Sequence, residues 1–250
     1  MNLQNKVAIV TGGGRDIGRS ISIGLAKRGA KVAINYFNGE AEAEATRAAV
    51  AAAGGEAMLV RADVTSAADV ARMVTEVQAA WGARIDILVN VAGGLVARKS
   101  LAEMDDEFFS HVLRLNMTST FLVTQAVAPH MESGSAILNF ASQAGRDGGG
   151  PGASAYSAAK GAVMTFTRSM AKELGPRGIR VNSLCPGMID TSFHDRFTKP
   201  EVRSNVAAAT PLRRQGTADE VAEAAIHLVS DGASFIHGAN IDINGGLFFS

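Results

Sequence analysis

The sequence is poor in residues that would fix a structure by covalent or metal chemistry. A single cysteine, Cys185, stands in 250 residues. No intrachain disulfide can form, and a reducing compartment is the default expectation. The five histidines do not fall at metal-ligand spacing with one another. His227 and His237 lack a cysteine or acidic partner in register, so no metal is expected. Neither sign of charge dominates, since Lys+Arg and Asp+Glu both number 24. A polyanionic partner such as nucleic acid is therefore not expected. No apolar run approaches the roughly 20 residues that span a bilayer. The strand-like run Val7–Val10 follows the N-terminus with no apolar leader and cleavage signal before it. A cytoplasmic protein with no membrane partner is the resulting expectation. Tyrosines are also scarce, at two, which gives weight to either one that falls in a chemical pattern.

Hydrophobic residues make up 47% of the chain, which excludes a disordered protein. They alternate between two periods. Short β-branched runs occur at Val7–Val10, Lys31–Asn35, Met58–Arg61, Ile85–Asn90, Ala136–Phe140, Ile179–Leu184 and Asn240–Ile243. Helical stripes lie between them, as in Val70, Met73, Val74 and Val77, and again in Val221, Ala224, Ala225, Leu228 and Val229. Thr217 with Glu220 reads as a capping box opening the last helix, and Ser66 with Asp69 as a weaker version. Strands joined by helical crossovers pair in parallel, and a parallel sheet needs helices on both faces. The expected fold is α/β, a doubly wound, seven-stranded parallel sheet in one domain over residues 1–250, with ligands beyond the carboxyl ends of the strands. The run Gly148–Pro151 reads as a loop within that domain.

The first strand ends in Thr11-Gly12-Gly13-Gly14-Arg15-Asp16-Ile17-Gly18. Glycines let backbone N–H groups approach a pyrophosphate, and the helix that follows adds its dipole. A glycine-rich turn without a ligand would look similar. A Walker-type loop is excluded because no Gly-Lys-Ser/Thr follows. In dinucleotide folds an acidic residue ending the second strand binds the ribose 2′-hydroxyl of NAD. Asn35 is placed there by the strand pattern, with Tyr36, Phe37 and Asn38 after it, and none is acidic. The guanidinium of Arg15 could pair with a phosphate.

Tyr156 and Lys160 are spaced i, i+4 and share a helix face. A phenol ordinarily titrates near 10, and a neighbouring ammonium lowers that value, which would make Tyr156 a usable acid or base at neutral pH. Taken alone, this pair is common by chance.

Taken in order, the motifs resemble the short-chain dehydrogenase/reductase superfamily over nearly the whole chain. Thr11–Gly18 is similar to its Thr-Gly-x-x-x-Gly-Ile-Gly fingerprint, with Asp16 replacing the usual middle glycine. Asp tolerates a positive φ better than most residues. Its carboxylate would repel a pyrophosphate unless it points away or caps the helix. Asn90-Val91-Ala92-Gly93 resembles the segment after the fourth strand. Ser142, Tyr156, Lys160 and Asn116 match the catalytic tetrad, with one more residue between Ser142 and Tyr156 than is usual, placed in the Gly148–Gly150 loop. Pro186, Gly187, Ile189 and Thr191 match the segment that clasps the nicotinamide, and Asp63 and Val64 the adenine contacts. Asp242-Ile243-Asn244-Gly245-Gly246 resembles the usual terminal strand and turn.

The resemblance implies a reversible hydride transfer between a nicotinamide dinucleotide and a carbonyl or alcohol. Tyr156 would be the general acid and Ser142 would hold the carbonyl oxygen. Lys160 would tune Tyr156 and reach the ribose, and Asn116 would hold a relay water. NADP(H) is favoured by Arg15 and the missing acid, with NAD(H) possible. A small-molecule substrate and a homotetramer are expected. The alternatives are a 3-oxoacyl-[acyl-carrier-protein] reductase and a non-catalytic dinucleotide-binding regulator on the same fold. The segment from Met188 to Thr210, with Phe193 and Phe197, is expected to form a mobile cover that selects the substrate. Cys185 reads as a packed small residue.

Overall fold

The computed structural model describes residues 2–250. The strands are β1 (Val7–Thr11), β2 (Lys31–Tyr36), β3 (Glu56–Arg61), β4 (Ile87–Asn90), β5 (Ala136–Phe140), β6 (Arg180–Pro186), β7 (Ile189–Asp190), β8 (Gly216–Thr217) and β9 (Asn240–Ile243). The α-helices are α1 (Asp16–Ala26), α2 (Glu40–Ala52), α3 (Ala67–Trp81), α4 (Asp106–Leu113), α5 (Ser119–Val127), α6 (Ala144–Asp147), α7 (Ser154–Leu174), α8 (Ser192–Phe197), α9 (Pro200–Ala209) and α10 (Ala218–Val229). Seven strands form one sheet in the order β3-β2-β1-β4-β5-β6-β9, and every pairing is parallel. This is the expected doubly wound sheet. The strand order reverses beside β1, between β1 and β4, so the loops after those two strands diverge and leave a crevice there.

Burial on both faces explains the apolar strands. Ala8 and Val10 of β1 face one core with Ile21 and Leu25 of α1 and Ile226 of α10. Val7 and Ile9 face the other core with Met73 and Val77 of α3, Val123 of α5 and Leu174 of α7. Each large side chain removed from water in this way contributes about 1.5–3 kcal/mol.

Ala136–Phe140 and Asn240–Ile243 match the runs read in the sequence, the other five strands differ from theirs by one or two residues at one or both ends, and the short pair β7–β8 was not visible there. Two residues per strand are too few to show a period. The capping box on α10 is present: the Thr217 N–H donates to Glu220 at 2.8 Å, and the Glu220 N–H donates to Thr217 Oγ1 at 3.2 Å. Ser66 accepts from the Asp69 N–H at a weaker 3.4 Å. Among the described residues no helix is long and apolar enough to cross a membrane.

Candidate active site

The glycine loop is anchored from both neighbouring strands. Thr11 Oγ1 accepts from the Val91 and Ala92 N–H groups at 3.0 and 3.1 Å. This draws the segment after β4 against the loop after β1. Gly18 packs so closely that a Cβ would run into the Gly12 carbonyl oxygen. Arg15 occupies the N-cap of α1 but makes no side-chain capping bond. The first-turn N–H groups of that helix have no intrahelical acceptor by geometry, so they remain suited to an anion.

Asn35 requires a correction. It is 2% exposed, and its amide donates to the Val60 and Ala62 carbonyls at 3.3 and 3.0 Å. Its Oδ1 accepts from the Gly12 N–H at 3.3 Å. Asn35 therefore shapes the loop from inside the sheet, while Tyr36 ends β2 at the surface. Strand alternation is the reason: adjacent residues point to opposite sides, so the outward-facing residue at this strand end is Tyr36 and not Asn35. Tyr36 is not acidic either. Burial and the nearby Glu40 carboxylate raise its phenol pKa.

Asp16 adopts φ +48°, the left-handed conformation its replacement of glycine requires. Its carboxylate does not cap α1. It reaches Ser192 instead, accepting from the backbone N–H at 3.0 Å and from Oγ at 2.5 Å. Arg15 is exposed, with Nε 4.0 Å from Asp16 Oδ2. Farther along the crevice, the Asp63 carboxylate accepts from the Thr65 N–H and Oγ1 at 2.9 and 2.7 Å. That turn leaves Val64 buried behind the loop after β3.

The reacting centre gathers at the ends of β4 and β5. Asn90 donates to Asn139 Oδ1 at 2.9 Å, and Asn139 donates to Thr167 Oγ1 on α7 at 3.0 Å. These buried bonds fix α7 against the sheet. Tyr156 and Lys160 lie one turn apart on α7, and Ser142 follows β5. Ser142 lies beside the Tyr156 phenol and works to lower its pKa. Its hydroxyl accepts from the Ala144 N–H at 3.1 Å. Lys160 is buried, and its ammonium donates to the Phe140 carbonyl at 2.7 Å.

The expected direction of the tyrosine shift is not what the structure gives. Burial raises the Tyr156 phenol pKa, opposed only by the neighbouring Ser142. Lys160 Nζ stands 5.7 Å from the ring centroid. Burial also pushes its own pKa down to about 8. A desolvated ammonium at that distance does not overcome the desolvation of the phenol. The structure thus holds Tyr156 protonated at neutral pH.

Asn116 falls in a π-helical turn, Arg114–Thr118, between α4 and α5. Such turns are frequent at functional sites. The Asn116 side chain is held by its surroundings: Oδ1 accepts from the Gly94 N–H at 2.9 Å, and Nδ2 donates to the Gly94 and Val112 carbonyls at 2.8 and 2.9 Å. Gly93 lies between Asn116 and Lys160. A Cβ there would come within 2.6 Å of Asn116 Oδ1 and 3.2 Å of Lys160 Nζ. The Asn116 side chain is thus engaged by Gly94, the residue after Gly93, and by its own helix.

The far wall comes from the segment after β6. Gly187 N–H donates to the Ile243 carbonyl at 3.0 Å, so the turn after Pro186 stays on the sheet end. Ile189 is buried in β7, and Thr191 is the N-cap residue of α8. Phe193 of α8 places its ring 6.0 Å from that of Tyr156, with Phe197 5.1 Å beyond. Cys185 is buried in β6 with its thiol pKa raised, which agrees with a packing role. The sequence reading did not single out Gly94 or the Asn139–Thr167 link. Only the Thr-Gly motif marked Thr11, and nothing local marked the other two.

The crevice fits a dinucleotide: a loop with no room for a Cβ at Gly13 or Gly18, an N-cap without a capping bond, and a phenol at the end. Gly12, Gly14 and Gly18 would lie against a pyrophosphate, and Gly93, Lys160, Gly187 and Thr191 beside the nicotinamide half. This fold and site define a nicotinamide-dependent oxidoreductase of the doubly wound class. The family model described as enoyl-(acyl carrier protein) reductase matches residues 12–248. A 3-oxoacyl-[acyl-carrier-protein] reductase of Synechocystis is 37% identical over 98% of this chain and 98% of its own. A short-chain dehydrogenase/reductase of Serratia marcescens superposes with TM-score 0.93 at 34% identity, covering 99% of both chains. A short-chain dehydrogenase from Burkholderia cenocepacia in complex with NADP gives 0.92 at 33%, again covering 99% of both. The chain belongs to the short-chain dehydrogenase/reductase family, and it is an oxidoreductase acting on CH–OH or carbonyl groups.

Proposed function

We propose that this chain is a single catalytic domain that reduces the carbonyl of a free small molecule, with NADPH as the preferred donor. The observation that carries the reading is the gathering of Ser142, after β5, with Tyr156 and buried Lys160, one turn apart on α7 with Lys160 Nζ 5.7 Å from the Tyr156 ring. A bound nicotinamide dinucleotide supplies the hydride. Tyr156, held protonated by burial, donates its phenolic proton to the carbonyl oxygen. Ser142 steadies the charge developing on that oxygen. The buried ammonium of Lys160 favours the phenolate once the proton has left.

The preference for NADPH is supported by exposed Arg15 beside the loop and by a non-acidic Tyr36 at the end of β2. The Burkholderia relative carries NADP in its structure. A free substrate is supported by charge. Acyl carrier protein is acidic and needs a basic docking patch. In carrier-using relatives that patch draws on the turn before the fifth strand and on the helix after the catalytic tyrosine. Here that turn carries Glu132, which pairs with Arg84 at 2.6 Å and cancels its charge. On α7, Arg168 and Lys172 remain, with Glu173 beside Lys172. The alternative, a 3-oxoacyl-[acyl-carrier-protein] reductase, is favoured by the Synechocystis relative's name. Comparing kcat/KM for an acetoacetyl group on carrier protein and on a short pantetheine-like thiol decides between them. Similar values are expected; a large advantage for the protein-bound form that falls steeply with salt would establish the carrier reductase.

A homotetramer in the cytoplasm completes the proposal. Phe121 on α5 and Phe166 on α7 meet edge to face at 6.4 Å, and Phe121 remains partly exposed. A second copy would cover that surface. Light scattering at micromolar concentration is expected to give four times the chain mass, and a monomer mass would refute it.

A further inference from the structure

Asp16 stands where the family fingerprint has glycine, and it reaches across to a residue 176 positions away in the chain. Both carboxylate oxygens are engaged by Ser192, one by its backbone N–H at 3.0 Å and the other by its hydroxyl at 2.5 Å. Ser192 is the first residue of α8, directly between Thr191 and Phe193. Phe193 forms the wall 6.0 Å from the Tyr156 ring. One residue in the phosphate loop is thereby linked, through one residue of the cover, to the surface above the catalytic phenol.

The rest of the cover is tied mostly to itself. Arg203 of α9 bonds Asp190, Asp195 and Gln215, all within the same stretch of chain. Arg98 adds a bond to the Phe197 carbonyl at 3.2 Å, at the opposite end of α8. At the Ser192 end, the bonds that join α8 to the phosphate loop are those of Asp16. A glycine would hold the loop's φ of +48° at less cost but could not make them.

We infer that Asp16 is a positioning residue that holds Ser192, and with it Phe193, over Tyr156, so that phosphate loop and substrate wall move as one. The inference rests on the reading of Tyr156 as the proton donor. It also explains how a carboxylate is tolerated beside a pyrophosphate site. The charge is turned toward two donors in the cover and lies 4.0 Å from Arg15 Nε.

The test is hydrogen–deuterium exchange over residues 188–210 in the cofactor-free protein, with steady-state kinetics alongside. Asp16→Gly removes the carboxylate without backbone strain. It is expected to speed exchange of the α8 amides about tenfold, the effect of losing charge-assisted hydrogen bonds. The same variant should raise KM for the carbonyl substrate about tenfold while lowering kcat much less. Asp16→Asn keeps an acceptor for the Ser192 N–H and a donor for its hydroxyl, and is expected to restore most of both. Ser192→Ala should give a smaller effect, absent in the Asp16→Gly background. Wild-type exchange in Asp16→Gly and Ser192→Ala would overturn the inference, as would Asp16→Asn loosening α8 as far as glycine does. Exchange needs no turnover. A failure of Tyr156 as proton donor would leave the exchange result standing, and the two readings stay separable.

Discussion

The floor of the crevice and its cover are built from different kinds of contact. On the floor, Asn116 is 0% and Lys160 4% exposed, and buried hydrogen bonds from Asn90 through Asn139 to Thr167 lock β4, β5 and α7 together. Losing one partner there leaves a buried polar group unsatisfied, at about 1–3 kcal/mol. The cover is held by ion pairs whose acidic partners face solvent. Asp190 and Asp195, which pair with Arg203, have side chains 68% and 67% exposed. Pairs of that kind contribute about 0–1 kcal/mol each. The chemistry proposed for Tyr156 and Lys160 would therefore be carried by a part of the molecule that cannot move cheaply. The proposed substrate wall would be carried by a part that can.

The sharpest way to break this contrast is to remove chemistry from the floor while leaving its structure intact. Tyr156→Phe deletes the phenolic oxygen and keeps the ring against Phe193. Turnover is expected to fall by about a thousandfold, in the range set by loss of a general acid. The fold should survive, because the Tyr156 hydroxyl makes no hydrogen bond that holds the fold together. Circular dichroism and thermal melts check the fold, and NADPH consumption with a ketone panel checks the rate. A folded Tyr156→Phe protein with wild-type rates would remove Tyr156 from the mechanism.

The same contrast decides what could be read from the sequence. The floor was legible because its residues fall at fixed local spacings: the glycines after β1, Ser142 after β5, and Tyr156 with Lys160 on one helix face. The sheet was legible because strands buried on both faces read as continuous apolar runs. Asn35 was misplaced by one register step, since periodicity alone does not say which residue of a strand end turns outward. The Tyr156 pKa was expected to fall, whereas burial raises it; desolvation depends on everything packed around the ring and leaves no trace in a five-residue motif. The Asp16–Ser192 contact was unreadable in the same way, because only the fold brings those two residues together.

Cofactor choice lies between floor and cover and should respond less steeply. Arg15 is exposed at the loop, and Tyr36 leaves the end of β2 without a carboxylate. NADPH is expected to be preferred over NADH in kcat/KM. Arg15→Ala should reduce that preference about tenfold, as expected for loss of one charge-assisted phosphate contact. An unchanged ratio would move the 2′-phosphate contact to another residue, and a wild-type preference for NADH would end the argument.

The smallest effect expected is a dependence of the cover on pH. His194 in α8 lies edge to face against Phe193 at 5.0 Å, and its Nδ1 is 2.9 Å from Thr198 Oγ1. Burial, reinforced by the cations of Arg203 and Arg98 and opposed by Asp195 and Asp190, pushes its pKa down to about 4. An exposed histidine titrates near 6.5. Between those values the unfolded segment binds a proton that the folded cover does not. The folded cover is therefore at full stability above about pH 6.5 and loses stability as pH falls toward 4. The floor has no such group in that window, since Lys160 titrates near 8 and Tyr156 above its ordinary range. Exchange of the α8 amides should accordingly quicken between pH 6.5 and pH 4, after correction for the intrinsic rate, while exchange in α7 stays level. His194→Gln removes the titrating ring and should flatten the α8 profile. A profile that keeps its slope in His194→Gln would remove His194 as the source of the pH response.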